Sequence, residues 1–199
     1  SLELITGIPA CMAEEATVRV AIYGGSFNPP HVGHAMVAAW VLWTRRADAV
    51  WITPTRAHAF GKSLAPWERR VAWCEALAQV VGEGARVCTI EDRLAPPTYT
   101  IDALDLLRAE HPEHTFCLVV GADALPDTPK WRRWDRIVAD YAPIIVGRAG
   151  YPIPDSSVVF PDVSSTLVRE RLADGDPVDH LVPAAVLALL GDAFRASPG

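Results

Sequence analysis

Four polar stretches, scattered along 199 residues, carry the side chains of this chain best suited to chemistry. The first is Gly24-Gly25-Ser26-Phe27-Asn28-Pro29-Pro30-His31-Val32-Gly33-His34; the others are Thr98-Tyr99-Thr100, Gly121-Ala122-Asp123 and Ser164-Ser165-Thr166-Leu167-Val168-Arg169. In the first, paired glycines let a ligand approach the backbone and leave N–H groups at a strand-to-helix turn. His31 and His34 are three residues apart, so a helix opening near Val32 places both imidazoles on its first turn, and Gly33 between them is expected to leave room for a bulky anion. Two imidazoles at a helix N-terminus suit a polyphosphate. A lone histidine would read as a cap or a core residue; the complete string does not.

Ser165 and Thr166 offer hydroxyls and N–H groups at a second helix start, and Arg169 adds a forked cation one turn later. In isolation Ser164 would be only an N-cap and Arg169 only a surface cation. Beside the first motif they read as phosphate ligands. Asp123 closes the apolar run Val-Val-Gly-Ala-Asp, where a carboxylate without donors is costly, so it should meet donors such as ribose hydroxyls, or else cap the following segment. Trp131 follows Pro129-Lys130 with Trp134 one helical turn later, so one or both are placed to stack on a planar ring. Of the two, Trp134 reads more as core packing, and Trp40, Trp43, Trp51, Trp67 and Trp73 within helix or strand patterns read as core. Between Thr55 and Lys62, Lys62 is either a phosphate contact or a plain surface lysine, and His58 is evenly balanced between a role and none.

These motifs need a frame that gathers them. From Val18 onward apolar runs alternate with helix-period segments, the pattern of an α/β, doubly wound parallel sheet of Rossmann-like type with a small C-terminal helical part. Strands are predicted at Val18 to Tyr23, Ala49 to Thr53, Arg86 to Ile90, Thr115 to Val120, Ala142 to Val146 and Val158 to Phe160; the fourth, the most continuous apolar run, should be central. Helices are predicted at Val32 to Thr44, from Pro66 through Val81, at Thr100 to Glu110, in a short piece ending near Ala139, at Ser164 to Ala173 and at Pro183 to Phe194. Residues 1–16 are expected to be a tail outside the fold and residues 17–199 a single domain. Each motif of interest follows a strand or opens a helix at the carboxyl edge of the sheet, where open α/β sheets bind ligands.

A formal net charge of -6 argues against a nucleic-acid partner, which would need a concentrated excess of Lys and Arg. Arg45-Arg46, Arg69-Arg70 and Arg132-Arg133 read instead as solvated helix faces. The four cysteines form no C-x-x-C pair, so neither a zinc site nor a disulfide framework is expected, and Cys74, Cys88 and Cys117 read as core. No secretory signal and no apolar run of about 18 residues is present, so a cytoplasmic enzyme without a membrane partner is expected. A homo-oligomer is left open.

The string Gly-Gly-Ser-Phe-Asn-Pro-Pro-His-x-Gly-His, followed by Ser-Ser-Thr-x-x-Arg, resembles the nicotinate mononucleotide adenylyltransferase family, from about Val20 to the C-terminus. His-x-Gly-His alone is less specific, being similar also to pantetheine-phosphate adenylyltransferases, glycerol-phosphate cytidylyltransferases and class I aminoacyl-tRNA synthetases. Thr-Tyr-Thr-Ile-Asp-Ala-Leu and Gly-Ala-Asp…Trp narrow the resemblance to the pyridine-nucleotide branch. It implies a nucleotidyltransferase fold and the transfer of AMP from ATP to nicotinic acid mononucleotide, with Mg²⁺ carried by ATP and no metal held by the protein. By the same resemblance Gly24, Gly25, Phe27, His31, His34, Gly121 and Asp123 line the ATP site, with Ser165, Thr166 and Arg169 on the β- and γ-phosphates. Ser26, Lys62, Tyr99, Thr100 and Trp131 face the mononucleotide, while His34, Arg169 and Lys62 act on the reacting phosphates. Main-chain donors near Tyr99 imply a preference for the acid over the amide. Many members carry a compact Pro-His-Lys turn where this chain spaces His58 and Lys62 four apart. The competing readings are an adenylyl- or cytidylyltransferase acting on nicotinamide mononucleotide or another phosphorylated acceptor, and a nucleotide-binding regulator without turnover.

Overall fold

Side chains along Val18–Gly25 (β1) alternate between two hydrophobic clusters, Val20 and Ile22 entering one and Ala21 the other, as the two-residue period of a strand requires when both faces are covered. In the computed structural model, which describes residues 17–56, 63–151, 158–191, 193 and 194, five parallel strands join it. They are Ala49–Pro54 (β2), Ala85–Val87 (β3), His114–Gly121 (β4), Ile144–Arg148 (β5) and Val159–Phe160 (β6). The order is β3-β2-β1-β4-β5-β6, so β1 and β4 are the middle pair, as expected for β4. Connections after β1 run one way and those after β4 the other. Such a switch point opens a crevice at the carboxyl ends of the two strands, here Gly24-Gly25 and Gly121.

Helices cover both faces. Val32–Trp43 (α1), Trp67–Val81 (α2), Ser165–Asp174 (α5) and Ala184–Leu190 (α6) bury Val37, Val41, Trp73, Leu77, Val168, Val186 and Leu190 against the face that carries Ala21, Ile52 and Val119. Thr100–Glu110 (α3) and Trp134–Tyr141 (α4) bury Ile101, Leu104, Leu107, Ile137 and Tyr141 against Val20, Ile22 and Leu118. The doubly wound parallel sheet is therefore observed. Among the described residues no helix is long and apolar enough to cross a membrane.

Some boundaries and burial assignments differ from expectation. β3 ends at Val87, and the chain then turns into a 3₁₀ helix, Ile90–Arg93, that buries Ile90 while its polar Glu91, Asp92 and Arg93 leave the sheet edge. α6 ends at Leu190 because Gly191 takes φ 52°, a conformation that breaks the helix. Trp43 is not core but 80% exposed: Val41 faces the sheet, and two residues further on a helix points almost the opposite way. Cys74 and Cys117 are buried, whereas Cys88 is only half-buried.

Candidate active site

β1 delivers the chain to Gly24, above which a side chain would meet nothing within 4 Å, so backbone is open to the crevice there. Phe27 follows at φ 44° with its ring fully buried. A left-handed residue other than glycine costs about 1–2 kcal/mol, and burial of the phenyl ring offsets it. The ring packs 4.8 Å from the His34 imidazole, so Phe27 supports the site from beneath and offers the crevice only backbone. His31 caps α1, and its N–H donates to His34 Nδ1 at 3.1 Å while the two rings stack 3.8 Å apart. A Cβ on Gly33 would lie 3.0 Å from the His31 ring. The room that Gly33 makes is thus occupied by an imidazole and is not left for an anion, because the ring folds back over the first turn to stack on His34.

Burial, aided by Arg148, lowers the His31 pKa to about 4. Burial first, then His31 and Arg148, holds His34 well below the ordinary histidine range. Both rings are neutral at pH 7. Since His34 Nδ1 accepts a hydrogen bond, its proton resides on Nε2, which makes this nitrogen a donor. At neutral pH His34 therefore offers a dipole, its Nε2–H donor, and no charge.

α5 is fastened to the same turn. Ser164 Oγ accepts from Leu167 N–H at 3.1 Å and caps the helix. Ser165 donates its hydroxyl to Pro29 O at 2.8 Å, and Arg169 donates Nη1 to Asn28 O at 2.7 Å and Nη2 to Thr166 Oγ1 at 3.2 Å. The first turns of α2, α3 and α4 contain Glu68, Asp102 and Asp135, but those of α1 and α5 contain no acid. Two positive helix ends are thereby joined with their charge uncompensated, a ready site for an anion.

Across the switch point, a Cβ on Gly121 would come within 2.4 Å of Asp123 Oδ1, so glycine makes way for that carboxylate. Asp123 finds its donor in Arg148, at the end of β5, which reaches Asp123 Oδ2 at 2.7 Å and Asp162 Oδ1 at 2.9 Å. Sequence reasoning missed Arg148: a single arginine after a strand carries no spacing to mark it. Tyr23 was also missed; its ring meets Phe27 edge-on at 5.7 Å, and burial followed by Asp123 raises its pKa, so the phenol stays protonated.

The other wall depends on Arg70, expected on a solvated helix face but only 1% exposed. Its guanidinium donates to the carbonyl oxygens of Ala65 at 3.0 Å, Ser26 at 3.1 Å, Thr55 at 2.7 Å and Arg56 at 3.3 Å. Carbonyls from separate loops converge on it, which keeps it out of water. Glu91, its pKa raised by burial, accepts from Arg56 N–H at 2.7 Å and Thr98 Oγ1 at 3.1 Å. This places Thr98 beside the start of α3. Tyr99 is exposed under the Arg132 guanidinium, 4.9 Å from its ring, and Arg132 pairs with Asp102. Trp131 and Trp134 meet edge-on at 5.5 Å, both half-buried against the α3–α4 cluster. Lys62 and His58 lie outside the described residues, as do residues 1–16.

The family model described as cytidylyltransferase-like matches residues 22–171. A protein named "Probable nicotinate-nucleotide adenylyltransferase" from Anaeromyxobacter sp. (strain K) is 47% identical over 172 residues, 85% of this chain and 91% of its own length. Proteins of the same name from Myxococcus xanthus (strain DK1622) and Bacillus pumilus (strain SAFR-032) are 42% and 35% identical, over 86% and 84% of this chain and 90% and 93% of theirs. Among solved structures, Plasmodium falciparum nicotinic acid mononucleotide adenylyltransferase complexed with NaAD superimposes with a TM-score of 0.75 at 19% identity, covering 89% of this chain and 98% of that one. That last likeness is one of fold.

Proposed function

The chain belongs to the nicotinate-nucleotide adenylyltransferase family, and we propose that it transfers AMP from ATP to nicotinic acid mononucleotide, giving deamido-NAD and pyrophosphate. The observation that carries this reading is the joining of two acid-free helix starts through Ser165 to Pro29 and Arg169 to Asn28, which builds one polyphosphate cradle from motifs far apart in sequence.

In this reading the 5′-phosphate of the mononucleotide attacks the α-phosphorus of ATP in line, and the P–O bond to pyrophosphate breaks. A phosphate monoester loses its second proton near pH 6 and needs no strong base at pH 7. Catalysis then rests on position and on donors preorganised toward the developing charge. His34 Nε2–H and the Arg169 guanidinium are such donors, Thr166 and the α5 N–H groups hold the β- and γ-phosphates, and Ser165 contributes chiefly by fixing α5 to Pro29. Lys62 is the third phosphate contact. Gly24 and Gly25 admit the nucleotide to the backbone, His31 sets the orientation of His34, and Gly121 with Asp123 receives the ribose. Ser26, Tyr99, Thr100 and Trp131 face the mononucleotide. Magnesium enters as Mg-ATP, carried by the nucleotide, while Asp123 is paired with Arg148.

The acid form is preferred because the first N–H groups of α3, at Tyr99 and Thr100, lack partners within the helix and match a carboxylate better than an amide NH₂. Charge-assisted hydrogen bonds of about 1.5 to 3 kcal/mol give a preference of roughly 10 to 150-fold in kcat/KM. Pyrophosphate release with each mononucleotide under saturating Mg-ATP tests the proposal. Turnover with the amide alone, or with another phosphorylated acceptor alone, replaces the acceptor; no turnover with any acceptor leaves a nucleotide-binding protein.

A further inference from the structure

At the opposite edge of the sheet from the crevice, the turn between α3 and β4 brings together three metal-ligating side chains within four residues, His111, Glu113 and His114. Their donor atoms lie within 4.8 Å of one another. One carboxylate oxygen, Glu113 Oε1, stands 3.4 Å from His111 Nδ1 and 3.5 Å from His114 Nε2. Two ligands of a tetrahedral zinc ion with bonds near 2.0–2.1 Å are separated by roughly 3.3 Å. Two edges of a coordination tetrahedron are therefore present before any ion arrives.

The imidazoles are held from behind. Trp51 meets His111 at 5.2 Å and His114 at 6.1 Å, Phe116 flanks His114 at 6.3 Å, and the two imidazoles lie nearly parallel, 10° apart. Nε2 is the nitrogen of His114 that faces Glu113, while Nδ1 is buried with no hydrogen-bond partner among the described residues. The turn itself is fixed by His114 N–H donating to His111 O at 3.0 Å. His111 is also the C-cap of α3, and the negative end of a helix favours a cation. Nearby Arg93 is paired with Glu110, which offsets its charge.

We propose that His111, Glu113 and His114 form a divalent transition-metal site of the two-histidine, one-carboxylate kind, remote from the adenylyl-transfer crevice. Imidazole donors select zinc, nickel, cobalt or copper over magnesium, which demands oxygen ligands. The protein supplies three ligands and leaves the remaining position to water. β4 runs from His114 to Gly121, which puts roughly 23 Å between the ion and the crevice at the rise of a parallel strand. The ion is accordingly a structural clamp between α3 and β4 and not part of the transfer chemistry.

Calorimetric titration of the full chain with zinc chloride, without nucleotide, tests this. One equivalent should bind, unaffected by millimolar magnesium, and the affinity should fall about tenfold or more in His111→Ala and in Glu113→Gln. Cobalt should give the visible spectrum of a nitrogen–oxygen site, without thiolate charge transfer, and His111→Ala should abolish it. Adenylyl transfer by metal-free His111→Ala should match that of the parent. His111 and Glu113 are the more exposed pair, so these variants carry the test even if His114→Ala does not fold. No saturable binding overturns the proposal, as does binding unchanged in both variants or a thiolate spectrum.

Discussion

Arg169 donates to the carbonyl oxygen of Asn28 at 2.7 Å, across 141 residues of sequence. The same side chain is one turn inside α5, whose capped start points at the turn that Asn28 shapes. One arginine thus couples the position of α5 to that of the histidine turn, and its second amino group remains on Thr166 at the helix start.

Arg169→Ala should lower kcat by roughly 100 to 1000-fold, the usual effect of losing one preorganised donor at developing charge. Its thermal midpoint should move little, because the lost link is a partly exposed hydrogen bond. Steady-state kinetics beside circular dichroism melts provide the check; wild-type kcat in a folded variant removes Arg169 from the mechanism.

Arg148→Met should raise KM for ATP by roughly 10 to 150-fold, since it leaves Asp123 without its charged donor and free to swing from the crevice. Asp162→Asn loses only the outer half of the network, where the carboxylate is 64% exposed, and should change KM by less than about fivefold. Equal effects of the two substitutions would show that the Asp123 pairing does not set nucleotide affinity.

Trp131→Ala should raise KM for the mononucleotide by at least about 2 to 12-fold, the value of aromatic stacking beyond burial, while KM for ATP stays nearly unchanged. Initial rates with each substrate varied in turn decide this. A selective change for ATP would move Trp131 to the other half of the site.

His31 contributes to the pH dependence of stability beside His34, whose pKa burial also lowers. Its pKa is lowered from 6.5 to about 4 in the fold, so between those values the unfolded chain binds more protons and stability rises with pH. This contribution is complete above pH 6.5 and is lost as pH falls toward 4, a difference of roughly 3 kcal/mol over the window. Urea midpoints at pH 7 and pH 5 should differ more for the parent than for His31→Gln. Identical pH dependences would show that His31 is not buried neutral.

Much of this was legible in the sequence because it is written in local spacing. The alternation of apolar runs predicted the sheet and its helices, and strand ends placed the four motifs at one edge. Arg70 was misread because an Arg-Arg pair on a helix looks the same whether its outer member meets water or carbonyls; only the convergence of Ser26, Thr55, Arg56 and Ala65 distinguishes them. Arg148 went unnoticed for a related reason, since its partners Asp123 and Asp162 lie on different segments. Gly33 was given the right property and the wrong beneficiary: it makes space, and the His31 ring fills it.

The guanidinium of Arg70 grips backbone at Thr55 and Arg56 on one side of residues 57–62 and at Ala65 on the other, and Asn28 Oδ1 holds Ala65 N–H at 2.9 Å. Both anchorages of that segment are therefore main chain, indifferent to the side chains strung between them. Evolution can rewrite or lengthen such a stretch cheaply, since closing a longer loop between fixed ends costs only about 0.6 kcal/mol per doubling of its length. A chain built this way can exchange residues 57–62 as a cassette, and the four-residue spacing of His58 and Lys62 is the kind of variation it tolerates.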